Sequence, residues 1–552
     1  MDRLFPLSTT IRDYDQSWFR GDLAAAITVW AIVVPESMAY ASIAGMPPET
    51  GLYAATVPLL LYAVFGTSRR MTVGPSAAVA ALSIATVAPF AASGSEEVVG
   101  YTVLLALIVG VVLVVAGIAK LGIIAEFLSE PVLKGFIVGV ALTIALGQLG
   151  KLFGLESEGE GFFSELFDLV GQLPNLHVAT LIVGAISLAA LFLLERFLPR
   201  IPSALVVVVL SILAVKLFDL EALGVHVAGA IPAGLPSLVD PTTLDWTAVS
   251  ALIPGAIGVA IVVYGESMAL AKTFGSSHGE RVDANQELIA LGAANAAGGL
   301  FGAFVTDGSS SRSAAADSAG QKSQISSLVV VVLLVLTLLF LTSLFSDLPE
   351  AALGAIVIHA VIGLIRFGPI RSLKERNRID FWAAVSTLVG VLVFDVLAGL
   401  MIGVLVSLAG LMSRAVRPRI TWLARDGSSD GFIARDRPGV MELPAISIVR
   451  FEAELFFANV GSLREAVLTE VESNQPAAIV FDAEAISDVD TTAADEMVKL
   501  GGELRRREIE FALARLTSRA RIALVKSGVD LEGRDYARVS DAVQALSEAG
   551  ES

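Results

Sequence analysis

The sequence predicts an α-helical membrane protein of about fourteen segments, followed by a small soluble α/β domain. Three observations carry this. Of 552 residues, 55% are hydrophobic and 17% charged, whereas soluble domains average about 25% charged. Apolar runs recur from Asp22 to about Leu411. After Pro418 the pattern changes to short alternating or buried runs interleaved with helical ones.

A spanning helix needs about 20 apolar residues. The clear runs are Leu23–Ala44, Tyr101–Lys120, Val132–Gly150, Val178–Leu194, Ser203–Phe218, Ala251–Ala271, Ser326–Phe345, Ala351–Ile365, Phe381–Val396 and Leu400–Met412. Shorter or interrupted runs are Leu52–Phe65, Val73–Ala88, Leu288–Phe304 and Ser309–Gly320. The first twenty residues are polar, with Arg3, Arg12 and Arg20. They lack the apolar core and cleavage site of a signal peptide, so the first run is expected to stay as a spanning helix.

Loop charges orient these runs. With the N-terminus in the cytoplasm, the cytoplasmic loops carry Arg69 and Arg70, Lys120, Arg196 and Arg200, Lys272 and Arg281, Lys322, the group Arg366, Arg371, Lys374, Arg376 and Arg378, and finally Arg414, Arg417 and Arg419. The opposite loops carry Glu49, Glu96, Glu97, Asp219, Glu221, Asp347 and Glu350. One of them has Lys151, offset by Glu156, Glu158 and Glu160. The positive-inside rule then predicts an even number of segments in a cytoplasmic membrane, with both termini inside.

Two interrupted runs stand out. Thr72–Ala80 carries Gly74-Pro75 near its start, and Asp307–Ala314 is too polar to face lipid. Proline suits a first helical position and serine a cap, so both are expected to be half-helices starting inside the membrane. Irregular backbone at that depth must be buried in protein or line a cavity. A pair of broken helices in matching positions points to a transport site. They fall third and tenth, which divides the chain into two halves of seven segments, the second inverted.

In the tail, strands are expected at Ile446–Arg450, Leu455–Ala458, Ala478–Phe481 and Glu510–Ala514. Helices are expected at Leu463–Glu472, Ala493–Arg506, Ser518–Lys526 and Val539–Glu548. The predicted division is a cytoplasmic segment 1–20, a membrane domain 21–418, a linker 419–440 around the turn Asp426–Asp430, and a cytoplasmic α/β domain 441–552.

Several chemistries are excluded or disfavoured. There is no cysteine, hence no disulfide and no thiolate chemistry. A net charge of −17 without a basic stripe disfavours nucleic acid. No phosphate-binding loop occurs, which disfavours an ATP-driven pump. His177, His226, His278 and His359 share no metal-ligand spacing, and no cofactor is expected.

The sequence resembles the sulfate permease family of anion transporters over nearly its whole length. The resemblance rests on Val34-Pro-Glu-Ser-Met-Ala-Tyr-Ala41, Ala44-Gly-Met-Pro-Pro-Glu-Thr-Gly-Leu-Tyr53, Phe65-Gly-Thr-Ser-Arg69 and Val73-Gly-Pro75. It continues through Asp283-Ala-Asn-Gln-Glu-Leu288, Gly298-Gly-Leu-Phe301, Ser311-Arg-Ser313 and Ala319-Gly320. In the tail, Asp490-Thr-Thr-Ala-Ala494 resembles the strand-to-helix turn of STAS domains. The resemblance implies a seven-plus-seven inverted repeat with core and gate subdomains, a homodimer, and an anion site between the third and tenth segments.

Half-helix ends present free N–H groups and positive dipole ends, a ready seat for an oxyanion. Candidate substrate-binding residues are Ser76, Ala77, Ser309, Ser310 and Ser311. Arg312, the only basic residue in its segment, could add positive potential or pair with Asp307 or Asp317. Glu36 and Glu266 lie within spanning runs, and a carboxylate out of water can take up and release a proton. They are the candidate coupling residues, with Asp307 and Tyr40 as modulators.

Within the resemblance, many relatives have Gln in place of Glu36, Thr in place of Asp307 and an aromatic in place of Ser310. A sodium-coupled branch has Asp in place of Glu266 and Thr where this chain has Leu270, which points to protons rather than sodium. Thr491 and Thr492 stand where some STAS proteins are phosphorylated. The expected function is secondary active transport of sulfate, bicarbonate or a dicarboxylate, coupled to protons. The alternatives are an uncoupled channel, an exchanger, or a membrane-anchored STAS sensor without transport.

Overall fold

The computed structural model describes residues 5–91, 96–122, 129–155, 161–198, 202–427, 431–443 and 445–551. Arg3, Glu156, Glu158, Glu160, Arg200, the side chain of Glu96 and the 428–430 end of the expected turn lie outside them. The chain divides into two compact units, Met1–Ser407 and Leu408–Ser552.

The membrane helices follow the expected order. They are α1 (Phe19–Ile43), α2 (Pro48–Phe65), α3 (Ala77–Val87), α4 (Glu96–Ile118), α5 (Glu130–Phe153), α6 (Val178–Phe197) and α7 (Ser203–Phe218). The second set is α8 (Val249–His278), α9 (Ala284–Leu300), α10 (Ser310–Ser318), α11 (Ile325–Leu336), α12 (Glu350–Ile362), α13 (Arg378–Val393) and α14 (Val396–Val416). Among the described residues, eight helices are long and apolar enough to cross a membrane. They expose apolar side chains such as Ile186, Phe340 and Leu405, as lipid contact requires.

α3 and α10 are short for a plain reason. At 1.5 Å per residue their 11 and 9 residues reach about 16 and 13 Å, against a hydrocarbon core of about 30 Å. Each is preceded by a two-residue strand, β1 (Val73–Gly74) and β2 (Asp307–Gly308). The strands pair antiparallel, Val73 opposite Gly308 and Gly74 opposite Asp307. The Ser309 N–H donates to the Thr72 carbonyl at 2.9 Å, and the Thr72 N–H donates to Ser313 Oγ at 2.9 Å. Backbone groups that no helix satisfies are thus paired with each other. Pro75 is not at the first helical position, as the sequence suggested. It precedes the cap Ser76, and Ala77 opens the helix.

Two packing groups form in this unit. α4 packs on α9 and α8, α9 on α2, and α1 on α2 and α11. Separately, α5 packs on α13 and α12, and α12 on α6. α1 touches α12 and α7, and α3 touches α5, across the seam. Close approach within the first group needs small residues. A Cβ added to Gly110 would lie 2.4 Å from the Ala296 nitrogen, and one added to Gly292 would lie 2.7 Å from the Gly110 oxygen.

The second unit holds β3 (Ile420–Asp426), β4 (Phe432–Ala434), β5 (Val440–Met441), β6 (Ile446–Phe451), β7 (Ala478–Asp482), β8 (Glu510–Ala514) and β9 (Asp535–Tyr536). The sheet order is β4-β3-β6-β7-β8-β9, with β5 also on β3. β6 to β9 are parallel and β3 is antiparallel to β6. Its helices are α15 (Val460–Asn474), α16 (Thr491–Arg506), α17 (Ser518–Lys526) and α18 (Val539–Glu551). Val467, Leu500 and Leu524 pack with Ile479 and Phe481 on one side of the sheet. Val539 and Ala542 pack with Ile448 and Val480 on the other.

Two expectations are corrected here. Segment 419–440 is not a linker, since β3, β4 and the first residue of β5 lie in it. The expected turn begins at Asp426, where β3 ends, and β3 pairs with β4, β5 and β6. Leu455–Ala458 is not a strand: Leu455 makes a single bridge to Val489, and Asn459 Oδ1 takes the Phe456 N–H at 2.9 Å, which bends the chain toward α15.

Candidate functional site

Ser76 and Ser309 cap the two half-helices from extended backbone. Ser76 Oγ accepts from the Val79 N–H, and Ser309 Oγ from the Arg312 N–H, each at 3.4 Å. The first-turn amides of Ala77 and Ala78, and of Ser310 and Ser311, therefore remain without an intrahelical acceptor. The N–H of Ser309 is already committed to Thr72, so only its hydroxyl is available. That hydroxyl lies 3.3 Å from Ser311 Oγ.

Both helix ends open on one cavity of about 1240 Å³. Its wall contains Glu36, Tyr40, Ser76, Ala77, Glu266, Asp307, Ser309, Ser310 and Ser311. Much of the rest of the wall comes from the N-terminal parts of α1, α5 and α7 and the C-terminal ends of α6, α10 and α12, at Ile27, Leu133, Ser203, Glu195, Ser318 and His359, with Ile144 of α5 and Leu270 of α8 deeper in. The structure thus brings together every predicted site residue except Arg312.

Arg312 is fully buried and does not line the cavity. Its Nη2 donates to the Pro75 carbonyl at 2.7 Å, while Nε and Nη1 have no hydrogen-bond partner. The expected alternative pairing with Asp317 does not occur. Asp317 Oδ1 accepts from Arg70 at 2.6 Å. Its charge instead lies within electrostatic range of Glu36, Tyr40 and Asp307. A pocket whose wall includes four carboxylates, Glu36, Glu195, Glu266 and Asp307, thus has the Arg312 cation behind it. Glu36 Oε2, Glu266 Oε1 and both Asp307 oxygens are buried without a hydrogen-bond partner.

Some structurally important residues are not singled out individually by the sequence pattern, although Glu287 stands within the Asp283–Leu288 motif. Ser267 Oγ accepts the Gly308 N–H at 2.8 Å and docks β2 on α8. Glu287, fully buried, accepts from Tyr62, Thr67 and Ser68. Asp22 accepts from the N–H groups of Lys322 and Ser323. Their partners lie up to hundreds of residues away in sequence. His359 pairs with Glu195 at 2.8 Å at the cavity rim, a placement its isolated position in the sequence does not indicate. Among the described residues no cluster could hold a metal ion.

In the second unit, Asp490 caps α16 by accepting from the Ala493 N–H at 2.7 Å, which leaves Thr491 and Thr492 exposed. Glu470 accepts from Arg435 and Ser447. Burial pushes its carboxyl up, but hydrogen bonds from Arg435, Ser447 and Asn474 outweigh this and hold it below the usual range.

Comparison with known proteins decides the family. The sulfate permease family model matches residues 19–387, and the STAS domain model matches 437–543. The chain belongs to the sulfate permease family. A probable sulfate transporter of Mycobacterium tuberculosis is 36% identical over 542 residues, 97% of this chain and 96% of that one. The chloroplastic sulfate transporter 4.1 of Arabidopsis thaliana is 30% identical over 572 residues, 99% of this chain and 82% of that one. The structure of the murine Slc26a9 anion transporter in its inward-facing state superposes with a TM-score of 0.92 at 25% identity, covering 99% of this chain and 94% of that one. This permease is a multi-pass membrane protein with a C-terminal STAS domain, and its relatives are transporters rather than enzymes.

Proposed function

We propose that this permease is a proton-coupled symporter for a small oxyanion, working by alternating access. Sulfate is the first candidate, because the relatives above are named for it; bicarbonate and dicarboxylates follow. The observation that carries the proposal is the pair of half-helix ends, at Ser76 and Ser309, opening on one cavity. Unpaired amides and aligned dipoles seat an anion there without a charged side chain in contact.

The electrostatics support proton coupling. Glu36, Glu266 and Asp307 share the cavity wall with the Glu195–His359 pair, and Arg312 is buried behind them. An incoming anion meets net negative charge unless carboxylates are neutralised, and in a low-dielectric site that repulsion is severe. Taking up protons removes it, so anion and proton enter together.

With the N-terminus in the cytoplasm, the helix ends around the cavity all lie on the cytoplasmic side, which makes this the inward-open state. The core group α1–α4 and α8–α11 then moves against the gate group α5–α7 and α12–α14. The proposed setting is a homodimer in a cytoplasmic membrane, with both termini inside.

The test is uptake of radiolabelled sulfate, bicarbonate and fumarate into proteoliposomes, with and without an inward proton gradient. Uphill uptake that needs the gradient supports the symporter. Downhill flux indifferent to it would replace the symporter with a channel or an exchanger.

A further inference from the structure

We propose that Glu266 and Asp307 share one proton taken up from the cavity, and that this proton is the condition for an anion to sit at the Ser76 end of α3. This rests on the proton-coupled reading and deepens it. The coupling group is a pair, and its second member stands at the anion's own seat.

The pair follows from one backbone contact. The Gly308 N–H donates to Ser267 Oγ at 2.8 Å, and a Cβ on Gly308 would lie 3.2 Å from Ser267 Cα. β2 and α8 therefore meet at these two residues, and the residues just before each are Asp307 and Glu266. Both residues border the cavity. Glu266 Oε1, Asp307 Oδ1 and Asp307 Oδ2 are buried and lack hydrogen-bond partners. Two ionised carboxylates so placed repel each other. One proton makes one of them a donor to the other, and the pair titrates as a unit. The balance is simple: a proton from cavity water adds to one carboxylate, the pair passes from two negative charges to one, and no other bond changes.

The other charged and titratable groups around the pair do not replace this proton. Arg312 on α10 acts on Asp307, but it is buried behind the wall and held by the Pro75 carbonyl. Glu36 and Tyr40 on α1 add a further carboxyl and a neutral phenol. Glu195 and His359 lie on the gate side and bond to each other. A metal cation is the rival occupant. Hard cations take about six or more oxygen ligands, and among the described residues no cluster of three His, Cys, Asp or Glu could hold one.

Asp307 also neighbours the Ser76 hydroxyl. A doubly ionised pair would place its charge against the anion at the half-helix end. Anion binding by the purified full-length protein should then depend on pH, and Asp307 should be needed for that dependence.

The experiment measures radiolabelled sulfate binding in sodium-free buffer between about pH 5.5 and 8.5 for wild type, Asp307→Asn and Asp307→Glu. For one linked proton the wild-type Kd should rise about tenfold per pH unit on the alkaline side. In Asp307→Asn the slope should fall below about twofold per unit, while Asp307→Glu should keep it. A flat wild-type profile would defeat the proton-coupled reading, and this inference with it. A sloped wild type with an equally sloped Asp307→Asn would overturn the shared proton and leave the symporter standing. Binding that appears only when sodium is added would overturn it in favour of a metal cation. If Asp307→Asn binds nothing, Asp307→Thr takes its place with the same two readings.

Discussion

Replacing Arg312 with methionine should weaken sulfate binding by roughly 1000-fold, and replacing it with lysine should restore most of the loss. Arg312 is fully buried, outside the cavity wall, with a single hydrogen bond at 2.7 Å to the Pro75 carbonyl. Its effect on an anion at the half-helix ends must act through the field. At an effective dielectric of about 20, a unit charge about 8 Å away is worth ~2 kcal/mol per anion charge, hence ~4 kcal/mol for divalent sulfate, and ~1.4 kcal/mol is tenfold in Kd. Lysine keeps the charge and loses only the planar fork, which does not reach the anion. If Arg312 were a bidentate ligand, lysine would be a poor substitute. Because the charge is buried, the effect should change little with added salt. The assay is radiolabelled sulfate binding to detergent-purified protein, with the lysine variant controlling for the lost Pro75 contact. Methionine-variant affinity within about threefold of wild type would refute the field account. Equal damage from lysine and methionine would move Arg312 into direct contact with the anion.

Removing both caps by Ser76→Ala and Ser309→Ala should cost ~1 kcal/mol each, read as a lowered melting temperature together with a several-fold weaker sulfate Kd. Gly292→Val should destabilise the α4–α9 crossing, where even a Cβ would lie 2.7 Å from the Gly110 oxygen; overpacking of this kind costs about 1–3 kcal/mol, and thermal unfolding in detergent would show it. In the STAS domain, Asp482 is fully buried between Arg450, at 2.7 Å, and Arg515, and Asp482→Ala should destabilise the domain by about 3–5 kcal/mol, measurable as faster proteolysis. Glu470 is held below its usual range in the folded state, so its stabilising contribution is present above the unfolded value near ~4.3 and is lost as pH falls through the folded one. Wild type and Glu470→Gln should therefore differ in melting temperature at neutral pH and converge in strong acid.

Much of the architecture was legible because a bilayer imposes one rule on every spanning residue. Satisfying the backbone within each segment forces helices of set length, so the apolar runs located α1–α14 closely. Gly74-Pro75 and the serines at 309–311 broke that rule visibly, and the structure places both breaks on one cavity. Pair contacts were less legible. Arg312 looked like a cavity residue because it is the only cation in a polar segment, yet its side chain turns to the Pro75 carbonyl behind the wall. Asp307 and Glu266 are 41 positions apart, and their adjacency depends on the Ser267–Gly308 contact that no local pattern encodes. In the STAS domain, the buried strands β6–β8 announced themselves by continuous apolar runs. The strands β3–β5 did not, because β4 and β5 are only three and two residues long and polar turn residues such as Asp426 and Gly427 interrupt the run.

The central claim is that anion and proton move together, and sulfate uptake into proteoliposomes against its own gradient tests it most directly. With an inward proton gradient, the wild type should concentrate sulfate, and Glu266→Gln should bind sulfate but fail to concentrate it. Sulfate that only equilibrates in the wild type, gradient or no gradient, would contradict the claim.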